Sequence, residues 1–362
     1  MAAPRVVVVV DGAGLGSPWQ VADQVAAGWS RRAPHVVVEA HVSHDGGAGF
    51  AEVVGNALGG TVHPVVVPGP LGEDVPAAVT VVDGPAGATA YLDTAQVCGR
   101  HLVGPERLAD PSGMSSAGVG RLLHLARGLG VGRVVVGVGP LACHDGGSGL
   151  LAELGAGADL AALADVRREW AGTHLVLATT TESPLLGFHG ASAMLTEEEG
   201  VAPEVTQRLE TAMGGLADRV NALLPPRRDL LTGLPRRPER EPGAGAGGGV
   251  GYALRLLGAR TDTGARLLLD ELGLRERLPG SLLVLVTRSY DATTVHEGVV
   301  ADTARAALET ATPTVVLAEE VLVGRREGMA LGVSGSYELR EGEDLSALAA
   351  RVARTWTPRP LT

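Results

Sequence analysis

The tetrapeptide His-Asp-Gly-Gly occurs twice in this chain, and each copy separates a strand pattern from a helical pattern. The first copy spans residues 44–47 after a strand pattern at 35–41, and the second spans residues 144–147 after three valines at 134–136. A glycine turn of this kind directs backbone N–H groups outward, and the helix that follows adds the positive end of its dipole. We therefore predict two strand–turn–helix corners that suit an anion such as a phosphate or a carboxylate.

Two other interpretations of these glycines stay open. With 52 glycines in the chain, either corner alone is compatible with a surface turn, although the matched surroundings of the two copies favour a functional site. Gly137, Gly139 and Ala142 also spell the GxGxxA dinucleotide fingerprint, which would indicate a nicotinamide-dependent oxidoreductase. That motif must open a helix directly and needs an acid about twenty residues later. Here Pro140 and the pair at 146–147 interrupt the helix, and no acid follows a second predicted strand at that distance, so this alternative is the weaker one.

Composition excludes several classes of partner. The formal net charge of −11 argues against nucleic acid or an anionic membrane. No apolar run approaches the roughly 18–20 residues of a membrane span, and the first residues lack the layout of a signal peptide. Cys98 and Cys143 are the only cysteines, so we predict two reduced thiols rather than a disulfide framework. The expectation is a cytoplasmic protein without a nucleic-acid or membrane partner.

The basic residues are unusual because none of them is a lysine. All 30 are arginines. A Walker A loop needs its lysine to contact the phosphates, so that nucleotide-binding motif is excluded.

The order of predicted elements describes an α/β chain. A strand at Arg5–Val10 leads through Asp11 and a glycine loop to a helix at Trp19–Trp29, with Ser17 and Pro18 as its start signal. Further strands are predicted at 35–41, 65–67, 79–82, 134–136, 174–178, 281–286, 313–317 and 329–333, and further helices at 121–127, 150–154, 159–170, 203–224, 250–257, 303–308 and 345–356. Strands near both termini suggest one α/β domain interrupted by another.

Three segments between these elements have predicted roles. Ser115 or Ser116 would cap the helix that follows. Pro225–Pro242 is rich in proline and arginine and is predicted to be a mobile surface linker without chemistry. The run at 243–249 is a third glycine-rich helix start, which favours a backbone that lies close to a ligand or to another helix.

Seven segments, taken in order, resemble the motifs of the bacterial type 1 glycerate kinase family. The most specific matches are the DGGxG pattern after its strand, PLLGxxGA and PGAGAxGG. The segments are 11–17, 44–50, 115–120, 139–149, 183–191, 242–249 and 287–294. Together they span nearly the whole chain, and their common order leaves little room for chance.

This resemblance implies an α/β fold in which a flavodoxin-like (Rossmann-like) domain is interrupted by a second α/β domain. We place the flavodoxin-like domain at 1–60 and 280–362 and the second domain at 61–279. The implied activity is phosphorylation of glycerate, or of a closely related small hydroxy acid, with ATP and Mg²⁺. A homodimer is the assembly to test.

The candidate site residues follow from this resemblance and from the chemistry of the motifs. Acids at strand ends are able to hold Mg²⁺, and glycine-rich helix starts are able to hold phosphates or a carboxylate. The catalytic candidates are Asp45, Asp145, Asp291, His44 and His144, and Asp45 and Asp145 are also the candidate metal ligands. The candidate substrate- and nucleotide-binding residues are Asp11, Gly46, Gly47, Ser115, Ser116, Gly146, Gly147, Gly187, Gly190, Gly243, Gly245, Gly247, Gly248 and Arg288.

Several polar residues of the family pattern are replaced. The lysine of the first loop is Leu15 or Gly16 here, the glutamate of the first corner is Ala48, and the acid before the PLLG loop is Thr180. Loss of one electrostatic stabiliser typically costs about 10²–10³ in turnover. The rival hypothesis is therefore a degenerate family member that binds a metabolite or a partner without phosphoryl transfer, unless a residue such as Arg288 compensates.

Overall fold

The computed structural model describes residues 4–224, 228, 233 and 235–357. Buried runs of valine, leucine and alanine form most of its strands, as parallel sheets covered on both faces require. The strands of the described part are β1 Arg5–Asp11, β2 Val37–Ser43, β3 Thr61–Pro68, β4 Asp74–Gly84, β5 Gly87–Asp93, β6 Arg133–Val138, β7 His174–Thr179, β8 Arg260–Thr263, β9 Ser281–Tyr290, β10 Thr314–Val321 and β11 Val333–Glu338.

The helices lie between these strands, and most begin after a glycine, a serine or an aspartate. A short π-helix at Ala152–Ala156 and three 3₁₀ turns at Arg100–Leu102, Pro238–Arg240 and Arg275–Arg277 complete the described elements. The α-helices are α1 Pro18–Arg32, α2 Phe50–Leu58, α3 Ala95–Cys98, α4 Pro105–Ala109, α5 Ala117–Gly128, α6 Ser148–Leu151, α7 Leu163–Trp170, α8 Ala191–Glu199, α9 Pro203–Leu223, α10 Ala246–Leu256, α11 Gly264–Glu271, α12 Ala292–His296, α13 Gly298–Glu309, α14 Arg325–Ala330 and α15 Leu345–Trp356. None of these helices is long and apolar enough to cross a membrane.

The chain forms two compact units. Unit 1 contains the residues up to Asp45 together with those from Gly264 onwards, and unit 2 contains Gly46–Thr263. The sequence pattern predicts these boundaries at 60/61 and 279/280. The structure moves both because α2 packs on β4 and β5 of unit 2, whereas α11 packs on α13 and β2 of unit 1. The chain leaves unit 1 after Asp45 and returns to it at Gly264. These two residues of unit 1 are hydrogen-bonded, because the Gly264 N–H donates to the Asp45 carbonyl at 3.0 Å.

Unit 1 is built on a five-stranded sheet in the order β11-β10-β9-β1-β2, with every neighbouring pair parallel. Read from β2, this is the 2-1-3-4-5 order of flavodoxin-like domains, so the expected fold class is confirmed. Val7 and Val9 belong to the core that α11 and α13 cover, while the alternate valines of β1 are buried on the opposite face. In this fold, ligands bind beyond the carboxyl ends of β1 and its neighbour β9, where the strand order reverses.

Unit 2 is built on a six-stranded sheet in the order β3-β4-β5-β6-β7-β8. The pairs from β5 to β8 are parallel, and β3 and β4 add an antiparallel edge. Parallel strands β5, β6 and β7 place the residues that follow them at one edge of the sheet. The second corner, after β6, is therefore at the centre of that edge.

One predicted strand is wrong. Residues 329–333 were expected to form a strand, but α14 covers Arg325–Ala330 and β11 begins only at Val333. A short apolar run does not distinguish a strand from a helix end. Met329 is 61% exposed, so this run does not form a buried strand. Most of the predicted linker at 225–242 lies outside the described residues, and its role stays a prediction.

Candidate active site

The acids of unit 1 gather at the carboxyl ends of its central strands. Asp11 is the last residue of β1, and His44 and Asp45 follow β2. The imidazole Nδ1 of His44 lies 3.0 Å from Oδ1 of Asp45, and His44 is almost fully buried. The side chain of Thr287, on β9, reaches the Asp11 carboxyl. This unit therefore places a histidine and two acids at the strand edge where such folds bind ligands.

Asp11 has an unusual acidity. The pKa of Asp11 is raised to about 6, chiefly by burial. The hydrogen bond from the Ala13 N–H opposes this increase, and the neighbouring charge of Asp45 adds to it. The Ala13 N–H donates to Oδ1 of Asp11 at 3.1 Å. A raised carboxyl pKa in a position that fold topology associates with ligands is typical of a functional site.

We expect Asp11→Asn to stabilise the protein at neutral pH when no divalent cation is present. The pKa of Asp11 is higher in the fold than in the unfolded chain, so its stabilising contribution is complete below about pH 4 and is lost as the pH rises through about 6. Asparagine resembles the protonated acid, so the variant should gain about 3 kcal/mol of unfolding free energy at pH 7.5 and only about 1 kcal/mol at pH 4.5. Urea unfolding of both proteins at the two pH values measures this, and an equal difference at both would contradict it.

Arg288 and Asp291 lie further along β9 and after its end. Arg288 is exposed and its Nε is 4.0 Å from Oε2 of Glu319 on β10. Asp291 caps α12 through a capping box, in which its Oδ1 accepts from the Thr294 N–H and the Thr294 hydroxyl accepts from the Asp291 N–H. Although burial opposes the change, these hydrogen bonds from Thr294 lower the pKa of Asp291. Its carboxylate is thus ionised and engaged in a helix cap.

The glycines of the first corner begin unit 2. Gly46 and Gly49 have φ of +105° and +98°, which favour glycine. The Gly49 N–H, at the start of α2, donates to Oδ2 of Asp93 at 2.7 Å, and Oδ1 of Asp93 accepts from the Ala95 N–H at 2.9 Å. Asp93 is 4% exposed. The turn around Gly47 is therefore held by a buried acid from the end of β5, which the sequence analysis did not identify.

Asp145 accepts four hydrogen bonds at the second corner. Its Oδ1 accepts from the Gly147 N–H at 2.9 Å, and its Oδ2 accepts from the Gly149 N–H at 3.0 Å. Oδ2 also accepts from the N–H and the hydroxyl of Ser116, at 3.0 and 2.9 Å. The Ser116 hydroxyl in turn accepts from the Leu150 N–H at 2.9 Å. The carboxylate therefore joins the starts of α5 and α6, and Ser116 is its partner rather than a conventional helix cap.

The glycine run before α10 packs directly on this corner. Gly247, Gly248 and Gly249 all have positive φ, and the Gly248 carbonyl accepts from the Gly146 N–H at 3.0 Å. A Cβ on Gly248 would collide with the Cys143 carbonyl, and one on Gly147 would lie 2.8 Å from the Gly249 carbonyl. The predicted close approach of this run is thus to another helix corner, which confirms one of its two expected roles.

The remaining predicted glycines shape the neighbouring loops. Gly187 has φ of +111° and its N–H donates to Oε1 of Glu210 at 2.8 Å. The Gly190 N–H closes the PLLG turn on the Gly187 carbonyl, and the Gly245 N–H donates to the Ser183 carbonyl, each at 2.9 Å. Gly243 also has a positive φ, of +77°. These residues position the loops after β7 and before α10.

His144 is buried and neutral. It is 7% exposed, and its Nε2 is 3.0 Å from the Ser192 hydroxyl on α8. Burial lowers the pKa of His144 to about 4. An effective general base has a pKa near the working pH, so His144 is better suited to orienting a group than to removing a proton.

A cavity of about 550 Å³ opens beside the second corner, within unit 2. Its polar lining includes Ser115, His144 and Asp145 from the motifs, together with Arg208 and Arg219 from α9. The two arginines are eleven residues apart, or about three helical turns, so they share one face of α9. The cavity therefore combines an acid, hydroxyl groups and two cations, which suits a small anionic ligand.

Mg²⁺ binds oxygen ligands and usually uses one or two carboxylates together with substrate phosphates. In the part of the chain that the structure describes, no three His, Cys, Asp or Glu side chains group as a metal site. Asp11 and Asp45 fit the two-carboxylate case, because their charges interact unfavourably and a cation would relieve this. Asp145 fits less well, since its oxygens already accept four hydrogen bonds.

Sequence reasoning missed Asp93, Ser192, Arg208 and Arg219. The eleven-residue spacing of the two arginines on a predicted helix was an available signal, because it puts both on one face. Asp93 ends a strand of predominantly buried residues, as Asp11 does, which was a second signal. Nothing local in the sequence connects Ser192 to His144, since they are 48 residues apart and meet only in the folded chain.

Comparison with known proteins identifies the family. The Glycerate kinase family profile matches residues 7–356. An uncharacterized protein of Mycobacterium bovis is 34% identical over 94% of this chain and 85% of its own, and a protein named glycerate kinase from Haemophilus influenzae is 29% identical over 83% and 81%. The crystal structure of a protein designated glycerate kinase 2 from Salmonella typhimurium superposes with a TM-score of 0.76 at 25% identity, covering 98% of both chains. With the seven motifs in order and the fold in agreement, the chain belongs to the glycerate kinase family.

Proposed function

We propose that this protein transfers the γ-phosphate of ATP to a hydroxyl of glycerate or of a closely related small hydroxy acid. The observation that carries the proposal is the cavity beside the second corner, whose wall includes family motif residues and two arginines. Its position after the central strand of the unit 2 sheet is where an α/β sheet binds ligands. Relatives that bear the name glycerate kinase support the same reaction class.

The acceptor acid is proposed to bind in this cavity through its carboxylate. A guanidinium matches a carboxylate with two parallel hydrogen bonds. Arg208 is already paired with Asp110, at 2.8 Å between Nη2 and Oδ2. Arg219 has no ion-pair partner among the described residues, so it is the better candidate for the carboxylate. The hydroxyls of Ser115 and Ser148 would hold the acceptor's own hydroxyl groups.

In phosphoryl transfer the protein itself performs little covalent chemistry. Phosphoryl transfer depends mostly on positioning and on neutralising charge. Bound Mg²⁺ would supply charge neutralisation at the phosphates, and Asp11 and Asp45 are the residues that fit it. His44, held by Asp45, would orient a ligand group or accept a proton, whereas His144 would fix the corner through Ser192. Arg288 is the exposed cation of unit 1 that we propose takes over part of the role of the family lysine.

We expect Arg219→Gln to raise the KM for glycerate about tenfold or more with a smaller change in kcat. The reason is that one charge-assisted contact to the substrate, typically about 1.5–3 kcal/mol, is lost in the ground state and in the transition state alike. Arg168→Gln is the matched control, because Arg168 is exposed on the neighbouring α7 and does not line the cavity. Steady-state kinetics with varied glycerate measures the effect. An unchanged KM would remove Arg219 from the acceptor site.

The proposed reaction is tested by ADP formation with ATP and Mg²⁺, with and without D-glycerate and a panel of small hydroxy acids. We expect ADP release that depends on the acceptor, and phosphorus NMR of the product identifies the hydroxyl that was phosphorylated. Binding of ATP and glycerate by calorimetry without any ADP release would contradict the reaction and favour the second candidate. A cytoplasmic location and a homodimer stay predictions.

The second candidate function is binding of a metabolite without phosphoryl transfer. It is favoured by one specific observation, namely that the four hydrogen bonds to the Asp145 carboxylate come from its own turn and from Ser116 at the start of α5. An acid committed in this way is structural, and the missing lysine removes a cation from the phosphates. Under this alternative the cavity would bind an anion with the same arginines, and turnover would be absent with every acceptor.

A further inference from the structure

The cavity beside the second corner, hereafter the acceptor cavity, has one apolar side. Four of its apolar lining residues belong to α9 and a fifth precedes α5, and they are Leu209, Ala212, Met213, Leu216 and Met114. The four from α9 recur at intervals of three or four residues or are adjacent, so they form one continuous stripe along the helix. The cavity thus offers an apolar wall beside the hydroxyl, carboxylate and guanidinium groups of its polar lining.

This apolar stripe extends beyond the second corner, away from Arg219. A Cβ on Gly146 would collide with the Leu216 side chain, so the second corner lies against Leu216. Arg219 is three residues after Leu216, about 4.5 Å along the helix axis, whereas Leu209 is seven residues before it, about 10.5 Å in the other direction. A carboxylate held by Arg219 therefore leaves the stretch of wall around Leu209 and Ala212 to the rest of the ligand.

The acceptor cavity is larger than glycerate requires. Its volume of about 550 Å³ is within the roughly 300–1,000 Å³ of sites that hold drug-sized ligands, and a three-carbon acid fills only part of such a space. With glycerate bound, water would remain against the apolar wall, and its replacement by an apolar group is favourable. Each additional methylene buried there is expected to increase affinity about three- to fourfold.

The side chains of this wall are fixed by packing. Leu209, Met213 and Leu216 are all buried, and Sδ of Met213 lies 3.9 Å from the Ser192 hydroxyl on α8. They therefore present a preformed surface to a ligand. Ala212 differs because it is exposed and presents only a methyl group to the cavity. It leaves space that a larger side chain at this position would fill.

We infer that the acceptor cavity selects 2-hydroxy acids that carry an apolar side chain the size of an isobutyl or benzyl group, in preference to glycerate. The inference rests on the proposed function, because it uses the proposed contact between Arg219 and the acceptor carboxylate. The 2-hydroxyl would lie beside Ser115 and Ser148 at the second corner. The side chain would extend along Ala212 toward Leu209, where it replaces water on the apolar wall.

Calorimetry on the full-length protein tests this inference with the D enantiomers of lactate, glycerate, 2-hydroxy-4-methylpentanoate and 3-phenyllactate as separate probes. We expect the two acids with larger side chains to bind at least about tenfold more tightly than lactate and glycerate. Ala212→Phe should fill part of the space along the wall and reduce this preference about tenfold. Ala222→Phe is the matched control and should keep the preference, because Ala222 is also exposed on α9 but does not line the cavity.

Three results would overturn the inference. The first is equal affinity for the small and the larger acids, and the second is the same preference in Ala212→Phe as in Ala222→Phe. The third is weaker binding of ATP, rather than of the larger acids, in Ala212→Phe, which would assign the apolar wall to the nucleotide. Ala212→Leu serves as a second variant in case Ala212→Phe does not fold, and it should reduce the preference in the same direction.

ADP release with each acid separates this inference from the proposed function. Turnover with glycerate and equal binding of all four acids would overturn the inference and leave the proposed function standing. Tighter binding of the larger acids without ADP release from any of them would contradict the proposed function and support the inferred preference of the cavity.

Discussion

Asp145→Ala is expected to abolish acceptor-dependent turnover and to lower the free energy of unfolding by about 3 kcal/mol. The substitution removes an acceptor of four hydrogen bonds and leaves the N–H groups of Ser116, Gly147 and Gly149 without it. Hydrogen bonds to a charged group contribute about 1.5–3 kcal/mol each, but water reaches part of this partly buried site and recovers some of the loss. Turnover should fall by at least about 10³, because both the acid and the shape of the corner are lost.

Two further variants separate these effects. Asp145→Asn keeps an oxygen for the Gly147 N–H but brings an amide donor toward the donors of Ser116 and Gly149, so we expect most of the loss of stability to remain. Asp165→Ala, an exposed acid paired with Arg168, should change neither stability nor turnover measurably. Urea unfolding and ADP release measure the two quantities. Normal stability in Asp145→Ala would show that the corner does not depend on its carboxylate.

The two corners illustrate what the sequence could and could not predict. Their strand–turn–helix pattern was readable because β-branched runs, paired glycines and helical periodicity are all local signals. Their acids behave differently, however. Asp145 binds the N–H groups of its own turn, whereas the Gly49 N–H binds Asp93, which comes from another strand. Identical tetrapeptides therefore do not give their aspartates identical roles, because the neighbouring strand determines which carboxylate reaches the turn.

The domain boundaries and the acceptor arginines depended on contacts between distant segments. In the sequence, the helix after the first corner follows β2 and is therefore expected to belong with unit 1. In the fold, α2 packs on the sheet of unit 2, and the ring centroid of Phe50 is 6.3 Å from that of Tyr91. Arg208 and Arg219 were readable as one face of α9, but only the fold shows that this face borders the second corner. Long-range packing, not propensity, decides both cases.

The motifs lack the family lysine, but the folded chain brings arginines to the candidate ligand-binding edges. A family residue can be replaced from elsewhere in the chain, and Arg219 in unit 2 and Arg288 in unit 1 each offer a cation at a candidate ligand-binding edge. A guanidinium is larger and planar, so it does not occupy the place of a lysine ammonium. We therefore expect the compensating cation to come from a different position rather than from the aligned one.

Gly249→Ala is expected to cost about 3–4 kcal/mol of unfolding free energy and to remove ligand binding in the acceptor cavity. Two causes add at this position. Gly249 has a φ of +97°, which costs an L-residue about 1 kcal/mol or more. Its new Cβ would also collide with the Gly146 Cα and lie 2.9 Å from the Gly146 carbonyl carbon and from Cδ1 of Leu185. Backbone atoms cannot move aside as a side chain can, so the corner itself would shift.

Gly155→Ala separates the two causes. Gly155 has nearly the same φ, +101°, but nothing lies within 4 Å of the position its Cβ would take. This variant should therefore lose only about 1 kcal/mol and keep glycerate binding. Urea unfolding and calorimetry on the two variants measure the difference. If both lost the same free energy, the close packing of the glycine run on the second corner would contribute nothing, and positive φ alone would explain why these positions are glycine.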